Sequence, residues 1–307
     1  MAMNSTVADP KALYVTAVVI ISALCAWVAY VLAKVPKRGS ATTPSPVRAA
    51  ELSLDDAANE DQPTGPIARI LVSAVAQTDP GLRRKQNEDA FLVLDETHLY
   101  AVADGMGRHA AGEIASSLCI EELGAAYEKN DFGTPQKGMA KRLHWLKTAI
   151  DRANTRVLSE AKANDAYEGM GTTVVAVHFA RNRSRVYIAH VGDSRCYRLR
   201  AGTLTQLTHD HTLGAAGIEG AHAHFLSRAV GLEDTVEVDL TADNTVIGDV
   251  YLLCSDGLSR MVPEPEIAKA IAKEDVIQRA ADRLVALANE RGGRDNVTVI
   301  LVRVDAP

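Results

Sequence analysis

The sequence predicts an α+β fold, with mixed or antiparallel sheets carrying helices on their outer faces, preceded by a single transmembrane helix. Three observations lead there: an uncharged run over residues 12–33, short apolar runs from Ile67 onward, and longer stretches with a 3.6-residue apolar period. The short and long runs do not alternate regularly as β-α-β-α, which favours mixed or antiparallel pairing. At 307 residues, 47% hydrophobic and 23% charged, the chain has the composition and length of one large globular domain or two small ones.

Taken in order, residues 1–11 read as a short tail. Residues 12–33, ALYVTAVVIISALCAWVAYVLA, would span roughly 33 Å as a helix, about one hydrocarbon core. The run exceeds the apolar part of a signal peptide and is followed by Lys34, Lys37 and Arg38, so it is read as a retained anchor. Only Lys11 and Asp9 precede it closely, whereas Lys34, Lys37, Arg38 and Arg48 follow, which places the rest of the chain in the cytoplasm. Residues 34–66 mix proline, serine, threonine and scattered charge without an apolar period and read as a flexible linker.

Strands are expected at 67–76, 90–95, 98–103, 172–180, 184–191, 194–200, 249–254 and 296–304, the three middle ones as a meander turning at Arg181-Asn182-Arg183 and Gly192-Asp193. Helical stripes run through Ala115, Cys119, Leu123 and Ala126, and through Met139, Leu143, Leu146, Ile150, Ala153 and Val157, and these two helices are expected to pair. A third stripe, Ile277, Ala281, Leu284 and Ala288, stops at Gly292-Gly293. Cys25, Cys119, Cys196 and Cys254 sit in apolar runs with no C-x-x-C pair and read as buried hydrophobes. A net charge of -6 excludes nucleic acid as a general partner, because no basic excess displaces counterions from phosphates.

Five aspartates stand at strand ends: Asp89 in NEDAFLVLD, Asp104 in VADGMG, Asp193 in AHVGDSRCY, Asp256 in LLCSDGLS and Asp295 in GGRDNVTVILV. Turn chemistry accounts for any one of them. If the strands share sheets, several of these ends converge, and the carboxylates repel one another unless a cation neutralises them. Oxygen ligands without paired histidine or cysteine select hard ions, magnesium or manganese over zinc or copper.

The order and spacing of R-x-x-N-E-D, V-A-D-G-M-G, G-M-G-T-T, V-G-D-S-R, C-S-D-G-L and R-D-N-V-T-V, from about Thr78 to Val304, resemble the metal-dependent type 2C (PPM) Ser/Thr protein phosphatases, especially their bacterial branch. The resemblance implies a four-layer α-β-β-α sandwich over residues 67–307 and hydrolysis of phosphoserine or phosphothreonine by a metal-bridged water. It assigns Asp89, Asp104, Asp256 and Asp295 to a centre of two Mn²⁺ or Mg²⁺ ions, with Asp104 bridging and the Gly105 backbone carbonyl joining it. Asp193 matches a ligand of a third, weaker ion, Glu88 supports the ligands from behind, and Arg84 matches the phosphate-binding arginine. Phosphorylated proteins are the implied substrates, a Ser/Thr kinase the implied counterpart, and the inner membrane the implied location.

The pattern departs from the family at four points. Arg108 stands where bacterial relatives carry the last glycine of the bend, either contacting substrate or pointing outward. Met106 occupies the place of a histidine proposed as general acid in many eukaryotic members, with His109 nearby in sequence. The stretch His211–Gly231 aligns with a flap over the cleft but is shorter, and its His222 and His224 read either as metal ligands or as exposed polar residues. The anchor itself is the fourth. Two other functions share the motifs, a small-molecule phosphohydrolase and a membrane-tethered pseudophosphatase, and turnover of phosphopeptides separates them.

Overall fold

The computed structural model describes residues 71–107, 111–180 and 185–306. The expected tail, anchor and linker, together with Arg108 and His109, lie outside these residues. Among the described residues no helix is long and apolar enough to cross a membrane. In chain order the elements are β1 (Leu71–Asp79), β2 (Asp89–Leu94), β3 (Leu99–Met106), α1 (Ala111–Lys129), α2 (Lys141–Ala163), β4 (Gly171–Thr172), β5 (Val174–Phe179), β6 (Arg185–Val191), β7 (Arg195–Arg200), β8 (Thr203–Gln206), β9 (Asp239–Asn244), β10 (Val250–Cys254), α3 (Asp256–Ser259), α4 (Glu264–Lys273), α5 (Ile277–Glu290) and β11 (Val297–Asp305).

The strands form two antiparallel sheets, ordered β1-β11-β10-β7-β8 and β2-β3-β5-β6-β9, with β4 attached to β3. Most strands read as continuous apolar runs because both of their faces are covered. Along β11, Val297, Val299 and Leu301 point to the helices α4 and α5, while Ile300, Val302 and Val304 point to the opposite sheet. Strand β3 divides in the same way: Leu99, Ala101 and Ala103 meet α1 and α2, and Tyr100 and Val102 fill the space between the sheets. Three apolar layers thus separate four structural ones, in the order helix, sheet, sheet, helix.

The helical stripes fall where the 3.6-residue period puts them. Ala115, Cys119, Leu123 and Ala126 of α1 and Leu143, Leu146, Ile150, Ala153 and Val157 of α2 are buried in one core, and the two helices pack on each other. Helix α5 buries Ala281, Leu284 and Ala288 and ends as Gly292 and Gly293 take positive φ.

The expected meander is corrected by the structure. β5 and β6 pair as a hairpin, but β7 leaves for the other sheet, where it lies between β10 and β8. The crossing falls at Gly192, whose φ is +103° and where a Cβ would stand 2.6 Å from the Thr173 side chain. Only glycine fits such a bend at that distance.

Candidate active site

Each acidic motif is held by backbone pairing of the sandwich. Asp89, the first residue of β2, lies directly opposite Asp104 near the end of β3. The Asp104 main chain is fixed at both polar atoms: its carbonyl accepts from Thr172 Oγ1 and the Thr173 N–H, each at 2.9 Å, and its own N–H donates to Thr173 Oγ1 at 3.1 Å. The next residue, Gly105, donates its N–H to the Glu88 carbonyl at 3.0 Å, and a Cβ there would overlap the Gly112 carbonyl. Asp256 opens α3 just beyond β10, and Asp295 precedes the neighbouring strand β11.

Three residues not singled out from the sequence hold this arrangement together. Asn296 accepts from the Glu88 N–H at 2.8 Å and donates to the carbonyls of Pro80 and Gln86 at 3.0 and 2.9 Å, tying the arm that carries Arg84 and Glu88 to Asp295. Ser255 donates to Asp89 Oδ2 at 2.7 Å and accepts from the Thr298 N–H at 3.0 Å. Thr173 joins the Asp104 main chain to Ser194 through a 2.6 Å hydroxyl contact.

A cleft of ≈ 530 Å³ opens at this edge, with Arg84, Glu88, Asp104, Asp193, Asp256, Arg260 and Asp295 on its polar wall. Gly105, Met106 and Gly107 of the bend, Thr173, and His224, Phe225 and Leu226 of the flap complete the lining. Glu88 thus faces the cleft, and Asp89, paired with Asp104 across the two strands, has an Oδ1 that is buried with no partner. Burial is the largest influence on the carboxyls. It raises Asp89 to about 6 and Asp256 to about 7, and raises Asp104 well above the ordinary carboxylate range, with the neighbouring aspartates adding to each rise. Glu88 and Asp193 are also pushed up by burial. An orphaned buried carboxylate oxygen and a crowd of anions that resist ionisation fit hard divalent cations, and the donor set is oxygen only.

Two arginines offset part of this charge. Arg84 Nη2 donates to Asp295 Oδ2 at 2.9 Å and its Nη1 reaches Glu88 at 3.4 Å, with nearly half of the side chain (47%) open to solvent. Arg260 Nη2 donates to Asp193 Oδ2 at 2.7 Å and its Nη1 lies 2.9 Å from Asp256.

The flap is a turn-rich loop closed by Leu213 N–H to Phe225 carbonyl (2.8 Å) and Gly214 N–H to Ala223 carbonyl (2.7 Å) contacts. His222 and His224 both pack their rings against Phe225. The cleft carboxylates ring the opening without any three closing within 4.8 Å; among the described residues, His190, His211 and Asp239 do so. Two of these, His211 and Asp239, form a clasp with Arg228. His211 Nδ1 accepts from the Gly192 N–H at 3.1 Å, its Nε2 lies 3.3 Å from Asp239, and Arg228 already holds the same carboxylate at 2.6 Å. The guanidinium supplies the positive charge there, and burial lowers His190 to about 4, keeping it neutral.

A two-sheet sandwich with an oxygen-lined acidic cleft and an arginine beside it fits a metal-dependent hydrolase of phosphate esters, and the comparisons with known proteins give the family. The family model for protein phosphatase 2C matches residues 83–300. The serine/threonine phosphatase stp of Listeria monocytogenes is 38% identical over 244 residues, covering 75% of this chain and 94% of that protein. The serine/threonine protein phosphatase PstP of Mycobacterium tuberculosis is 39% identical over 246 residues, covering 76% of this chain and 45% of that protein. Among solved structures, the catalytic domain of PstP in complex with two manganese ions superposes with a TM-score of 0.66 at 39% identity, covering 77% of this chain and 99% of that one. The Streptococcus agalactiae serine/threonine phosphatase superposes with a TM-score of 0.70 at 32% identity, covering 76% and 100%. The chain belongs to the protein phosphatase 2C family, the metal-dependent serine/threonine protein phosphatases.

Proposed function

We propose that this chain is a membrane-anchored phosphatase that hydrolyses phosphoserine and phosphothreonine in proteins, using two divalent ions held by Asp104, Asp256, Asp295 and the Gly105 carbonyl. Asp89, whose buried Oδ1 has no protein partner, and Glu88, whose carboxylate faces the cleft, join that set. The observation that carries this is the gathering of carboxylates from five separate segments around one cleft, beside an arginine at its mouth. Mn²⁺ or Mg²⁺, when bound, neutralises phosphoryl charge and lowers the pKa of coordinated water.

The protein's own groups supply the rest. Arg84 binds phosphoryl oxygens: its planar fork keeps donors free beyond the Asp295 and Glu88 contacts, and it stands at the open side of the cleft. Burial and the neighbouring aspartates push the Asp104 carboxyl up, so nearby cations favour its ionised form, and the clamp on its main chain keeps it from moving away. Met106 carries no proton to give, so the leaving alkoxide takes its proton from solvent in the open cleft.

Residues 12–33 anchor the chain as a single pass in the inner membrane, with the catalytic domain on the cytoplasmic side, where Ser/Thr kinases phosphorylate the same proteins. The purified full chain should release phosphate from a phosphothreonine peptide when Mn²⁺ is present, stop on adding EDTA, and resume on adding excess Mn²⁺. Turnover that ignores the chelator overturns the mechanism, and no turnover at all favours a pseudophosphatase. Protease digestion of the domain in inside-out vesicles, but not in intact cells, tests its orientation.

A further inference from the structure

We infer that the Arg260 guanidinium is this chain's own third cation, sitting between Asp193 and Asp256 and taking up the aspartate, Asp193, that the sequence resemblance offers to a third divalent ion. The inference rests on the two-ion reading above. Asp256 and Arg260 are four residues apart along α3 and its end, which brings both side chains to one face. From there Nη1 lies 2.9 Å from Asp256 Oδ2 and Nη2 donates to Asp193 Oδ2 at 2.7 Å. The two carboxylate side chains are only 12% and 7% exposed, so a positive charge between them is worth more than at an open surface. A planar fork serves two carboxylates at once, which a single ammonium does not do in the same geometry.

Asp193 is therefore occupied. A weak third ion would have to displace a partner tethered to the same chain, and the displaced guanidinium would repel it. The same Nη2 also lies 3.4 Å from the His224 carbonyl, so the side chain that balances the two aspartates also touches the flap edge over the cleft.

Counting bound metal decides this. The full chain is dialysed against saturating Mn²⁺ and the bound manganese measured by atomic emission, with circular dichroism as the control for folding. Wild type is expected to hold two ions, Arg260→Ala three, and the double variant Arg260→Ala with Asp193→Asn two again. Asp193→Asn alone is expected to leave the count at two, and Arg260→Gln, which keeps much of the side chain without its charge, is expected to hold three if Arg260→Ala does not fold. Three ions in wild type falling to two in Asp193→Asn would overturn the inference while leaving the phosphatase reading intact, as would a folded Arg260→Ala protein that still holds two. A wild-type chain that holds none would overturn the metal reading, and this inference with it.

Discussion

At the scale of single residues, the site depends on Asp104, a carboxylate set among other acids whose charge raises its pKa and which cations favour as an anion. Asp104→Asn keeps the shape and removes the charge. Activity with Mn²⁺ is expected to fall on the order of a thousandfold, about 4 kcal/mol of transition-state stabilisation, while the melting temperature without metal does not drop. A variant with near-normal turnover would remove Asp104 from the chemistry. Asn296 is the structural counterpart. Losing its three part-buried hydrogen bonds in Asn296→Ala is expected to lower stability by about 3 kcal/mol in urea unfolding, at about 1 kcal/mol each. The aspartates were legible in the sequence because strand-Asp-Gly junctions recur at Asp104 and Asp256, and because six motifs fall in family order. Ser255, Thr173 and Asn296 were not, since they act on main-chain atoms whose positions exist only after folding. The sequence ranks Asp89 above Glu88 as a ligand; in the fold Glu88 lines the cleft, and Asp89 keeps one buried oxygen without a partner.

At the scale of elements, the apolar strands and the three long helical stripes were readable because each buries one or both faces in a continuous core. Strand β9, DLTADN, was missed because its acids and asparagine are poor strand formers, and pairing with β6 overrides that preference. Strand β8 is short and half exposed, and α4 has only ten residues after Pro263, so neither stands out along the chain as a long run does. The passage of β7 into the second sheet was equally hidden: Gly192 looks like an ordinary turn glycine until Thr173 packs against it. The flap is held by the clasp of His211, Arg228 and Asp239, which joins its first residue to β9. Because Arg228 and Asp239 are partly exposed, their pairing is worth about 1 kcal/mol. Asp239→Ala is therefore expected to speed chymotrypsin cleavage at Phe225 about fivefold, and an unchanged rate would show that the loop is held elsewhere.

At the scale of the whole molecule, the fold stores acidity at one edge of the sandwich and depends on cations to release it. Burial holds Asp89 at about 6 and Asp256 at about 7 in the metal-free chain, above the ordinary 3.8. The folded state keeps protons that the unfolded state has lost between about pH 4 and 7, so metal-free stability falls as pH rises through that window. His190 acts oppositely: burial brings it from 6.5 to about 4, and its contribution is lost as pH falls between those values. Metal binds the ionised carboxylates, so the rise in melting temperature on adding Mn²⁺ is expected to be larger at about pH 7.5 than at about pH 5.5, by roughly 3 °C or more. The His190 contribution cancels in that difference. An equal shift at both values would mean that the ions bind elsewhere. The four-layer architecture was legible through the motif resemblance rather than through composition, which by itself allows many sandwiches. The most direct measurement is anomalous diffraction at the manganese edge from crystals of this protein soaked in Mn²⁺. Two strong peaks are expected in the cleft bounded by Glu88, Asp104, Asp256 and Asp295; an empty cleft, or density confined to His190, His211 and Asp239, would contradict a two-ion phosphatase centre.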